Sequence, residues 1–225
     1  MTRIVSFAAA VATAALVAGA ATRGRTADAT STIDIAPYDV GASPRNFELL
    51  QTGKGEPGQW TIVRDTTAMG GLAIEHVSDN QQENRYPLAI YKLLSSADVE
   101  INVRFKIIKG SMLTAGLVVR FLDADNYYVV SANALEERVD LFRVVRGRME
   151  RIWGTDADVG RYHWHKLGLV ADHDQFKVSL DCRWLFTASD RTFLADGGIG
   201  LWVEEDNVTR FDQPEIRVLP TSEGR

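Results

Sequence analysis

The sequence predicts an all-β fold, a jelly-roll sandwich of two antiparallel sheets. Short apolar runs rich in Val, Ile, Phe and Tyr recur along the chain, with turn residues about every eight to twelve positions. The clearest run alternates strictly. Val99, Ile101, Val103, Phe105 and Ile107 fall on one face, and Glu100, Asn102, Arg104 and Lys106 on the other. Period-two alternation means a strand with one buried and one wet face. No segment carries an amphipathic helical pattern of three turns. Strands this numerous must bury two inner faces, which calls for two packed sheets.

Residues 1–29 stand apart from that fold. Arg3 opens a run at 4–21 rich in Ala and Val. Small-x-small patterns follow at Ala18-Gly19-Ala20 and Ala27-Asp28-Ala29. This is the layout of a secretory signal peptide. A membrane anchor is the alternative, but the run is barely long enough to span a bilayer. No later stretch is apolar enough to span, so the expected address is periplasmic or secreted. Residues 30–58 form a polar lead-in with Pro37, Pro44 and Pro57 and a cluster of Gly53, Gly55 and Gly58. One strand is expected there, at 46–50. The sandwich is expected over 59–220, with a tail at 221–225.

Within the sandwich, strands are expected at 60–63, 72–77, 87–91 and 98–108, with Pro87 tolerated at a first strand position. The stretch 116–153 holds four more, joined at Asp123–Asn126, after Leu135 and at Gly147, and reads as a central antiparallel meander. Further strands follow at 162–171, 176–182, 184–188 and 199–203. The last covers 208–218, with a bulge expected at Gln213-Pro214.

About 195 residues after the leader suit one domain with a sizeable core. Cys182 is the single cysteine, so no intramolecular disulfide can form. Export without disulfides fits a bacterial periplasm. A net charge of −5 argues against nucleic acid, whose binders carry basic surfaces. Nothing in the sequence sets an oligomeric state.

Several small clusters have chemical readings. His163 and His165, two apart on an expected strand, would share a face and offer two ligands to zinc. A third ligand is lacking, and no metal is expected. Asp123, Asp125 and Asn126 fit one turn. Calcium is the one ion such oxygens would suit, but Asp and Asn serve turns routinely and the plain turn is adopted. Arg138, Arg143, Arg146, Arg148 and Arg151 read as a solvated hairpin. Cys182 has no positioned base in sight and is read as structural.

The residues Gly116-Leu-Val-Val-Arg120, Asp125-Asn126-Tyr127-Tyr128-Val129-Val130 and Ala132-Asn133-Ala134-Leu135-Glu136 carry a resemblance. So do Trp164-His165-x-Leu167, Phe176-x-Val178-x-Leu180-Asp181 and Gly200-Leu201-Trp202 with Asp206-x-Val208-Thr209. Over residues 60–218 the chain resembles exported bacterial concanavalin A-like lectin/glucanase domains of the laminin-G-like and keto-disaccharide hydrolase-like kind. One departure is Cys182, where such chains carry a glycine after the aspartate. The resemblance implies a fold, but the scaffold hosts lectins, hydrolases and adhesion modules alike.

Glycoside hydrolysis needs two carboxylates across the scissile bond. The Glu-x-Asp-x-Glu strand of the glucanase branch is missing. Glu136, Glu137 and Asp140 are out of phase, and Glu204, Glu205 and Asp206 are consecutive. The expected function is therefore carbohydrate binding without catalysis at the cell envelope. A keto-disaccharide-type hydrolase and an adhesion module are the alternatives. Strand phase supplies a candidate groove. With the apolar phase turned inward, Arg120, Asn133, Asp140, Phe142 and Trp202 point out and line one sheet face.

Overall fold

The computed structural model describes residues 30–220; the expected leader and the C-terminal tail lie outside the described residues. The strands are, in chain order, β1 (Ser31–Thr32), β2 (Phe47–Thr52), β3 (Gln59–Arg64), β4 (Leu72–Val77) and β5 (Tyr86–Ser96). Next come β6 (Val99–Lys109), β7 (Thr114–Asp123), β8 (Asn126–Asn133), β9 (Arg138–Val145) and β10 (Arg148–Asp156). Last are β11 (His165–Asp172), β12 (Gln175–Leu180), β13 (Arg183–Ser189), β14 (Gly197–Trp202) and β15 (Val208–Val218). A 3-10 turn at Met69–Gly71 precedes β4. Among the described residues no helix is long and apolar enough to cross a membrane.

These strands form two antiparallel sheets packed face to face, the jelly-roll sandwich that the alternation predicts. Sheet A runs β13-β12-β11-β6-β15-β4-β3, with β1 also on β15; sheet B runs β10-β9-β8-β7-β14-β5-β2. The meander β7 to β10 is one half of sheet B. Between the sheets lie the alternating rows, Ile101, Val103 and Phe105 from β6 against Leu117, Val130 and Leu141 from sheet B. Each fully buried side chain of this size contributes about 1.5–3 kcal/mol over leaving it in water.

Two irregularities are legible beforehand, and one that bears on the expected groove is not. β15 carries its bulge between Asp212 and Glu215, with Gln213 at φ 45. Pro214 has no N–H for the ladder, so the strand steps around it. The β12–β13 turn has Asp181 at φ 51 and Cys182 at φ 62. Two left-handed residues make a type I′ hairpin, whose twist matches its strands. The turn is therefore regular, and Cys182 carries the cost of a side chain in a glycine conformation. The unforeseen irregularity is in β7. Its register shifts between Val119 and Asp123, with Arg120 at φ 50. The extra residue slips the phase, turning Arg120 toward the interior and Phe121 to the outer face.

Candidate functional site

The outer face of sheet B tests the expected groove. Asn133, Asp140 and Trp202 lie on it, as their phases predict, beside half-buried Phe142. Arg120 does not. It is fully buried and donates from Nε to Ala97 O (2.8 Å), from Nη1 to Phe193 O (2.9 Å) and from Nη2 to His173 O. Nη2 also faces Asp98 Oδ1 at 3.4 Å. These partners come from three separate loops, so Arg120 ties one end of the sandwich together.

The rest of this face is largely closed. Trp202 is 0% exposed and stacks on Tyr86 with ring centroids 5.5 Å apart. It can lie against β7 because Gly116 has no side chain; a Cβ there would meet Trp202 Cε3 at 2.9 Å. Trp202, Leu88, Val118, Tyr127 and Val129 form a second apolar cluster. Asn133 Oδ1 accepts from the backbone N–H groups of Leu135 and Glu136 and so holds the β8–β9 turn. Asp140 is clamped between Arg138 Nε (2.5 Å) and Arg151 Nε (2.8 Å). Glu204 has its pKa pushed up to about 7 by burial, with Glu205 and Glu136 adding repulsion. A sugar needs an open aromatic face, and Trp202 offers none.

The outer face of sheet A is also closed, by ion pairs. Asp65 accepts from Lys106, Arg210 and Thr67. Burial alone would raise its pKa, but these hydrogen bonds hold the carboxyl well below the usual carboxylate range. Arg210 also binds Glu75 at 2.6 Å, and Lys166 binds Glu215 at 2.6 Å. The Trp164 ring is covered by Arg104 and Lys106, each 4.8 Å from its centroid.

An open site lies where the two sheets' edges meet. A cavity of about 690 Å³ is bounded by the end of β10 (Thr155, Asp156), the start of β11 (His165) and the β12–β13 hairpin (Asp181, Arg183, Trp184). Trp184 is 65% exposed. Trp153 is 57% exposed and shares a face of β10 with Thr155, which lines the cavity. His165 is fixed at both nitrogens. The Gly160 N–H donates to Nε2 at 3.1 Å, so the imidazole proton sits on Nδ1 and is donated to Asp181 Oδ2 at 2.8 Å. Asp181 Oδ1 accepts the Lys166 N–H at 2.8 Å, which bolts the hairpin to β11. The site thus offers an exposed indole beside carboxylates, an imidazole and a guanidinium. That combination can stack on a sugar ring and hold its hydroxyls.

The remaining clusters resolve simply. His163 lies in a bend before β11, so it shares no strand face with His165. Asp123 accepts from Asp125 N and Asn126 Nδ2, as a turn requires. In the arginine-rich hairpin, Arg143 pairs with Glu150 and Asp190, while Arg146 and Arg148 are exposed. His173, the histidine nearest to Cys182 in sequence, stands at the opposite end of β12, roughly 20 Å away. Sequence reasoning missed the edge cleft. Its residues come from four segments, and only the meeting of β10 with β13 unites them.

No family model matches the chain, and no curated relative matches it. Solved structures do. The carbohydrate-binding module CBM66 from Bacillus subtilis is 23% identical, with TM-score 0.59, covering 75% of this chain and 94% of that one. Domain 4 of AbnA, a GH43 extracellular arabinanase from Geobacillus stearothermophilus solved with arabinotriose, is 14% identical (TM-score 0.54; 85% and 91% covered). The cellulose induced protein Cip1 is 9% identical (TM-score 0.59; 78% and 93% covered). What this chain shares with them is the two-sheet antiparallel β-sandwich fold.

Proposed function

We propose that this protein binds carbohydrate, without catalysis, in the cleft between edge strands β10 and β13. The observation that carries the reading is the open indole of Trp184 beside Asp181, His165 and Arg183 in one cavity. Supporting it, two of the similar structures are a carbohydrate-binding module and an arabinanase domain holding arabinotriose. Residues 1–29 support a second part of the proposal, that the protein works in the periplasm or outside the cell. The groove inferred from strand phase gives way to the cleft, because Trp202 is covered and Arg120 is turned inward.

Hydrolysis on the sheet B face is disfavoured by geometry. On the sheet B face, Asp140 of β9 and Glu204 after β14 are separated by β8 and β7. That places them roughly 14 Å apart, against the 5–10 Å that paired glycosidase carboxylates need.

Trp184→Ala tests the proposal. A sugar lying on the indole removes about 50 Å² from each partner, worth about 2.5 kcal/mol at most and so up to roughly sixtyfold in Kd. Titration calorimetry with arabino-oligosaccharides should show that loss while thermal unfolding barely moves. Unchanged affinity in the variant would remove the cleft from the account.

A further inference from the structure

Three cations are buried among the described residues: Arg85, Lys106 and Arg120. Lys106 pairs with Asp65 and Arg120 with Asp98. Arg85, 1% exposed, has no carboxylate within 4.0 Å among the described residues. Its Nε and Nη2 donate to Glu56 O, and Nη1 donates to Glu205 O at 2.6 Å. A guanidinium has five N–H groups, so two remain.

Arg85 lines a cavity of about 660 Å³ between the loops at 55–59 and 77–80. Lys109, exposed at its rim, likewise makes no ion pair among the described residues. A second orphan lies behind the wall. His76 is fully buried, and its Nδ1 donates to Asn207 O at 2.6 Å, which leaves Nε2 as an acceptor without a partner. Gly58, at φ +76, closes the loop over both groups. A Cβ there would stand 2.4 Å from His76 Nε2 and 3.2 Å from Arg85 Nη2.

We propose that this cavity is a subsite for the carboxylate of an acidic sugar, a uronate, held on Arg85 with Lys109 at its rim. A guanidinium fork matches a planar carboxylate in bidentate fashion. Asp79 and Glu56 also border the cavity, so a single negative charge suits it and a dianion does not. The carbohydrate reading enters only in choosing which molecule brings the carboxylate. The site lies apart from the Trp184 cleft and shares no lining residue with it.

The test is a ¹⁵N NMR titration of the purified protein at constant ionic strength with glucuronate, glucose, acetate and inorganic phosphate. The Gly55 and Gly58 amides should move with glucuronate and acetate and stay still with glucose. Lys109→Gln should weaken glucuronate about threefold, and Asp79→Asn should tighten it by a similar factor. Arg85→Gln should weaken it at least about tenfold. Because Arg85 also holds two loops, the opposite signs of the Lys109 and Asp79 variants carry the test if Arg85→Gln does not fold. Equal shifts from glucose, tighter binding of phosphate than acetate, or silence from glucuronate would each overturn the assignment. The Trp184 indole signal with neutral oligosaccharides reports on the cleft in the same spectra, so failure of one site is distinguishable from failure of the other.

Discussion

Arg120→Met separates a structural arginine from a ligand-binding one. The substitution removes the donors to three carbonyls, those of Ala97, Phe193 and His173. These residues are only partly covered, so each lost bond costs about 1 kcal/mol, the low end for an unsatisfied group. Asp98 loses its cation but keeps the His173 N–H at 2.7 Å. Breaking a buried pair costs about 3–5 kcal/mol in general, and the remaining donor puts this one at or below that floor. The total, about 5 kcal/mol, is comparable with the whole stability of a modest domain. Urea unfolding should therefore show a large fall in midpoint at unchanged slope. Adding Asp98→Asn should recover about 1–2 kcal/mol, because a neutral amide tolerates the missing cation better. A variant that lost less than about 1 kcal/mol but no longer bound sugar would refute this reasoning and return Arg120 to a binding face.

Other perturbations follow from the same structure. Cys182→Gly relieves a left-handed side chain at φ 62 and should stabilise the fold by about 0.5–1 kcal/mol in urea, net of glycine's greater unfolded freedom; destabilisation would mean that the thiol makes a contact worth more than the strain. His76 has its pKa pushed down to about 4 by burial, so the unfolded chain takes up the proton first, and about 3 kcal/mol of stability is lost as pH falls from 6.5 to 4. Glu204, with its pKa raised to about 7, works in the opposite sense: the folded state keeps a proton that the unfolded chain releases above 4.5, and stability is lost as pH rises to 7. Unfolding midpoints between pH 4.5 and 7 should rise with pH in Glu204→Gln and fall with pH in His76→Gln; slopes of the same sign in both would sink this assignment.

Alternation made the strands legible because each buries one face, and β6 reads correctly from Val99 to Ile107 on that basis. The same logic placed Asn133, Asp140, Phe142 and Trp202 on one face. It failed at Arg120 because a bulge adds a residue without disturbing the local run of apolar side chains. Val119, Arg120 and Phe121 look continuous in sequence while the phase changes under them. Phase also says nothing of what covers a face, so it points Trp202 into a groove while the structure buries that ring under its neighbours. The edge cleft depends on β10 and β13 ending beside one another, a tertiary fact with no local signal. His165 and Asp181 were both visible in the sequence, but their hydrogen bond across the β11–β12 pair was not.

The five tryptophans allow one direct measurement of where the protein holds its ligand. Indole N–H resonances of Trp60, Trp153, Trp164, Trp184 and Trp202 can be followed while a neutral oligosaccharide is added. Trp184 should move most, Trp153 should move with it, and Trp202 and Trp60 should stay in place. Movement of Trp202 together with the Ser131 and Asp140 amides, with Trp184 unmoved, would put the ligand on the face of sheet B and contradict the account.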